Sequence, residues 1–177
     1  MVRYPITTGI LAVALGTLPA APARAQEYKA RLDGSLTVRN NNTDPMLTNG
    51  IGKLTIEAND NSATYSLTYS GLSSKVTQAH FHFGKTPEGG IYAFLCTNLG
   101  NGPAGTPACP AAGETVTGTI TPASILPVRE QDITAGNFTV LLAALAYNSN
   151  YVKVHTVKFP DGEIGGRTRA AEQGRRR

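Results

Sequence analysis

The sequence predicts a mainly β protein: an antiparallel β-sandwich or Greek-key-like barrel carrying one short amphipathic helix. About eight short runs of strand-forming residues are separated by Gly, Asn and Pro turns, the pattern of sandwiches and barrels. The composition agrees. Only 16% of residues are charged, 19 are Gly, and Thr, Ser and Asn are abundant, which suits strands and turns better than helices. A single longer segment carries helical periodicity. With 177 residues, 41% of them hydrophobic, the chain has the size and apolar fraction of one folded domain.

The first strand is expected over Tyr28 to Val38, with Gly34 inside it as a bulge. Ile51 to Glu57 alternates, setting Gly52, Leu54 and Ile56 against Ile51, Lys53, Thr55 and Glu57. Ala63 to Tyr69 alternates again, with Tyr65, Leu67 and Tyr69 on one face, and Asn59-Asp60-Asn61-Ser62 between them has the composition of a hairpin loop. Val76 to Phe83, Ile91 to Leu95, Thr115 to Ile120, Tyr151 to Val157 and Glu163 to Arg169 complete the strands. Thr121-Pro122 opens a single helical turn, an N-cap residue followed by Pro. Asn137 to Tyr147 sets Phe138, Leu141, Leu142 and Leu145 at i, i+3, i+4 and i+7, an amphipathic helix expected to plug one end of the sandwich.

The N-terminal residues carry a different signal. Arg3 precedes an apolar run from Ile6 to Ala20, and Ala23-Arg24-Ala25 supplies the small-x-small order of a cleavage site. This is the layout of a secretory signal peptide. Residues 1–25 are therefore expected to be removed, leaving a single domain over 26–170 and an Arg-rich, disordered tail over 171–177 with no stable membrane anchor. Export would be to the periplasm or the medium. Without Arg3 and Arg24 the basic residues fall from 16 to 14 against 12 acids, a net of +2, and three of those positives are Arg175, Arg176 and Arg177. Such a body offers no basic stripe for nucleic acid.

Cys96 and Cys109 are the only cysteines. The residues between them are almost all turn formers, and burial alone cannot shape such a loop. An oxidising compartment favours a structural disulfide here, worth about 3 kcal/mol in the chain-entropy model. The C-x-x-C spacing of a redox pair is missing.

The chemistry available lies in three histidines. His80 and His82 stand at i and i+2 in Ala79-His80-Phe81-His82-Phe83, so on a strand they share a face, with Phe81 and Phe83 on the other. His155, in Tyr151-Val152-Lys153-Val154-His155, shares a face with Tyr151 and Lys153. If the two strands are neighbours, the three imidazoles converge. Three imidazoles suit one copper or zinc ion. The alternative is three polar residues bonded to backbone on a half-exposed sheet. Glu163 follows the turn Phe159-Pro160-Asp161-Gly162. Counting back from that turn pairs it near Lys158 or Phe159, where a salt bridge to Lys158 or Lys153 is expected; the other role open to it is to orient an imidazole from behind the ligands. No nucleophile–base arrangement is visible, and the Gly-rich stretches precede no helix start that would bind phosphate.

The segments Gly71 to Gly84, Ile91 to Cys96, Phe138 to Ala146 and Tyr151 to Arg167 together resemble the CHRD domain, first described in chordin and found in many bacterial secreted proteins. The resemblance runs from Tyr28 to Arg169. Its most specific pieces are A-H-x-H-x-G and Y-V-x-V-H-T followed by F-P-x-G-E-I. Where the family usually has Arg after Glu-Ile, this chain has Gly165, with Arg167 two residues later. The resemblance implies a β-sandwich or barrel, an extracellular setting and no agreed catalytic activity. More locally, His80-x-His82-x-Gly84 is similar to the copper-ligand strand of Cu/Zn superoxide dismutase. Three histidines cannot fill that enzyme's two metal sites, so the similarity implies at most a mononuclear centre of His80, His82 and His155. The expected function is an exported, non-enzymatic binding module for a metal or for a protein or matrix partner. A copper-dependent oxidoreductase of superoxide dismutase type, or an adhesion module without a metal, are the alternatives.

Overall fold

The computed structural model describes residues 25–36, 45–84 and 89–171. The expected signal segment and the expected tail lie outside these, save Ala25 and Ala171. Nine strands form two antiparallel sheets among the described residues: β1 (Gln26–Leu32), β2 (Ile51–Ala58), β3 (Ala63–Ser70), β4 (Val76–Phe83), β5 (Ile91–Thr97), β6 (Thr115–Ile120), β7 (Asn150–Thr156), β8 (Ile164–Arg167) and β9 (Arg169–Ala170). One sheet runs β6-β3-β2-β1-β9 and the other β5-β4-β7-β8. The arrangement is a sandwich, and no closed barrel forms.

The alternation read from the sequence builds the core. Leu54 and Ile56 of β2 and Tyr65, Leu67 and Tyr69 of β3 are buried facing Ala79 and Phe81 of β4 and Val152 and Val154 of β7. The helix, α1 (Thr139–Ala146), buries Val140, Leu141, Ala144 and Leu145 and packs against β7 and β9. Leu142 is only partly buried. Asn148, in the left-handed conformation, ends the helix, and the Ser149 amide closes on the Ala144 carbonyl at 2.7 Å. The turn opened by Thr121 is a 3-10 turn over Pro122–Ser124.

Two expected strands are shorter than their composition suggests. The first stops at Leu32, because the Asp33 carboxylate accepts the Ser35 amide at 2.9 Å and the Ser35 hydroxyl, a local turn that competes with the ladder. Gly34 therefore opens a 3-10 turn over Gly34–Leu36 and is not a bulge; Val38 lies outside the described residues. The last expected strand is two. At Thr168 the amide (3.0 Å) and the hydroxyl (3.3 Å) both bond the Asn150 carbonyl, and the chain crosses from β8 to pair as β9 with β1. The sheets also meet where Asp33 and Gly165 exchange both backbone hydrogen bonds. Glycine is required there: a Cβ on Gly166 would lie 2.1 Å from the Arg31 carbonyl oxygen.

Cys96 and Cys109 are joined by a disulfide, with Cα atoms 4.9 Å apart. Asn98 braces the loop from within, donating to the Val76 and Cys109 carbonyls and accepting from the Cys109 amide. Denatured, unreduced protein should therefore show no labelled thiol. The double variant Cys96→Ala, Cys109→Ala should unfold in urea with about 3 kcal/mol less stability. Two labelled thiols, or an unchanged urea midpoint in the variant, would contradict the role given to this bond.

Candidate metal centre

β4 and β7 are adjacent. Their ladder pairs Ala79 with Val154 and Phe81 with Val152 on the core face, and His80 with Lys153 and His82 with Tyr151 on the other. His155 sits opposite Gln78, one pair along from His80 on the same face, so the cross-strand diagonal brings the two imidazoles together. Ring centroids are 4.4 Å apart for His80 and His155, 5.1 Å for His80 and His82, and 6.5 Å for His82 and His155. Each residue offers a ring nitrogen, and the three nitrogens lie within 4.8 Å of one another. Register shifts in the β4–β5 ladder turn Tyr92, Ala93, Leu95 and Cys96 into the core and leave Phe94 beside His80, with ring centroids 5.1 Å apart.

The face is not half-exposed. His80 is 0% exposed, and His82, His155 and Lys153 are each 6% exposed. Their hydrogen bonds define which nitrogens are free. The Gly89 carbonyl lies 2.6 Å from His82 Nδ1 and the Pro160 carbonyl 2.6 Å from His155 Nδ1. A carbonyl only accepts, so both Nδ1 atoms carry the proton and both Nε2 atoms present lone pairs. His82 Nε2 faces His80 Nδ1 at 3.1 Å, so without a metal His80 must donate there, leaving its own Nε2 bare. His80 Nε2 and His155 Nε2 are buried with no partner. Each orphaned acceptor costs about 1–3 kcal/mol. Bare imidazole nitrogens with the opposite N–H pinned by backbone carbonyls are the arrangement that holds a metal ion, so the three buried histidines could hold one.

Electrostatics keep the rings neutral. Burial, then the neighbouring His155, His82 and Lys153, push His80 far below the ordinary imidazole range. Burial lowers His82 to about 4 against the opposing pull of the Gly89 carbonyl, with Lys153 and His155 adding to the drop. His155 also falls to about 4, through burial opposed by the Pro160 carbonyl and helped by Lys153. Lys153 is itself lowered by burial, with Asp161 opposing. Neutral imidazoles are the ligating form.

Glu163 is placed differently from its expected position. Its amide donates to the Val154 carbonyl at 2.8 Å, and the β7–β8 register sets Val154 against Ile164, so Glu163 lies opposite His155 and not near Lys158. The connection from β7 is a wider loop, not a tight turn. The carboxylate accepts from Thr48 Oγ1 (2.7 Å), the Ser73 amide (2.8 Å), Ser73 Oγ (2.9 Å) and Thr156 Oγ1 (2.8 Å). It meets neither lysine nor any imidazole; the one described ion pair is Lys29 with Glu27. Burial raises its pKa, but the four donors outweigh this and hold it below the usual carboxylate range. Gln131 carried no sequence signal, yet it spans the β4–β5 connection: its amide donates to the Phe83 carbonyl and its carbonyl accepts the Gly90 amide, both at 2.8 Å. That clamp fixes the neighbouring Gly89 carbonyl against His82.

A family model described as CHRD domain matches residues 28–168, most of the chain. No curated protein and no solved structure matches it.

Two outcomes follow from these groups. The folded pKa values of His82 and His155 lie below the unfolded ones, so the unfolded chain takes up protons first. Stability of metal-free protein should be fully present above about 6.5 and fall as pH drops toward about 4. Urea unfolding across that window checks this, and a flat profile would refute it. Glu163→Gln should cost about 1–3 kcal/mol, because its amide sets a donor against hydroxyl and amide donors. Metal uptake by that variant should match the parent's; reduced uptake would return Glu163 to an imidazole-orienting role.

Proposed function

The chain belongs to the CHRD domain family, and we propose on that premise that it is an exported, non-enzymatic binding module whose His80, His82 and His155 hold one copper or zinc ion. The observation that carries this is the pair of buried, partnerless Nε2 atoms on His80 and His155, beside His82 Nε2. A buried lone pair without a donor is costly, and one cation accepting all three removes the deficit. Export is supported by the signal-like first 25 residues and by the disulfide, which belongs to an oxidising compartment. Among the described residues no helix is long and apolar enough to cross a membrane. The partner we propose is a protein or matrix component outside the cell.

Purified protein should take up about one equivalent of copper or zinc at neutral pH and release it in acid as protons compete for the imidazoles. His82→Ala and His155→Ala should each weaken uptake roughly 100-fold or more, since a direct ligand matters at least as much as its supporting partner. Phe81→Leu, on the opposite face, should keep full uptake and cost only about 1 kcal/mol of packing. Should His155→Ala bind as tightly as the parent in equilibrium dialysis, the three-histidine reading fails.

A further inference from the structure

The site's charge and closure say more about the ion than its ligand count does. Resting on the metal reading above, we infer that the site selects monovalent copper, held by the three imidazoles alone, with no water or substrate in the coordination sphere.

The first line of argument is charge. All three ligands are neutral. The titratable groups around them are Lys153 and Tyr151, on the same face of β7, and Asp161, in the loop after β7. Lys153 is the register partner of His80, and its charge acts on all three rings. The carboxylate that could balance a cation, Glu163, is bound by Thr48, Ser73 and Thr156. A divalent ion would add two positive charges beside Lys153 in a buried site with no ligating anion. The solvation lost on burial grows as the square of the ion's charge, and repulsion from Lys153 grows in proportion to it. A monovalent ion suffers a quarter of the first and half of the second.

Coordination number points the same way. Zinc with three protein ligands keeps a fourth position open to water or substrate, and divalent copper favours a tetragonal set. Here the innermost ligand is fully buried and the other two nearly so. Phe94 packs edge-on to His80, and the Tyr151 ring lies edge-on to His82. The Tyr151 hydroxyl cannot serve as a fourth ligand, because it projects over Gly165 on β8, across β7 from the β4 histidines. Among the described residues the metal-capable cluster consists of these three histidines. Monovalent copper, with a closed d shell and a preference for two or three ligands, matches both the donor number and the charge.

Chelator-stripped protein, handled without oxygen, would be titrated with Cu(I) and Zn(II), each against a chromophoric competitor for that ion. Expected are one Cu(I) bound in a three-nitrogen environment by X-ray absorption, no Cu(II) paramagnetic signal after exposure to air, and Zn(II) weaker by orders of magnitude. Lys153→Met adds a second readout. If removing its charge tightens Cu(I) by some factor, it should tighten Zn(II) by that factor squared. Zn(II) binding as tightly as Cu(I), a Cu(II) signal in air, or equal factors in the variant would overturn this inference while leaving the metal site standing. Binding of neither ion by folded protein would overturn the metal reading itself.

Discussion

The antiparallel ladder between β4 and β7 is the constraint on which both core and site depend. Strand geometry sends successive side chains to opposite faces, so one run of residues must serve two environments. On the inner face Ala79, Phe81, Val152 and Val154 close the sandwich core. On the outer face the same backbone presents His80, His82, Lys153 and His155. A slip of one residue would exchange the two sets, putting imidazoles into the core and Phe81 outside. The apolar core therefore holds the histidines in register. The site needs no dedicated scaffold beyond the packing that folds the domain.

Hydrogen bonds at the strand ends then convert a sheet face into an enclosed site. The Gly89 and Pro160 carbonyls come from the connections after β4 and β7, and each fixes one imidazole's tautomer. Gln131 secures the first connection. Glu163 secures the second, because its four acceptor contacts join the end of β7 to Thr48 and Ser73 in the chain segments flanking β2 and β3. These groups act through position and not through contact with the ring nitrogens.

What was legible in the sequence follows from period two. The shared face of His80 and His82, the common face of Tyr151, Lys153 and His155, and the strand limits of 76–83 and 115–120 need only local alternation. Non-local pairings were not legible. Nothing in residues 76–83 states that their neighbour lies about seventy positions away, and the burial of Lys153 and the histidines depends on that neighbour. The position of Glu163 was misjudged for a related reason. Asp161-Gly162 suggests a tight turn, whereas the chain makes a wider loop in which Thr156 and Phe159 bond each other. Likewise the split of the last strand rests on Thr168 bonding Asn150, a contact between residues eighteen apart.

Satisfaction of polar groups separates the two readings of the histidines. A structural histidine on a sheet would use both nitrogens: one donating, one accepting from backbone or water. Here the donating nitrogens of His82 and His155 are used fully, whereas His80 and His155 each keep one buried nitrogen without a partner. Burial has also shifted all three away from protonation, so no charge compensates for the missing donors. Apolar residues of similar size would fill this face at lower cost. Three imidazoles kept dry, neutral and facing one another are therefore poorly explained by stability alone. They are well explained by an ion that takes the lone pairs the protein leaves unpaired.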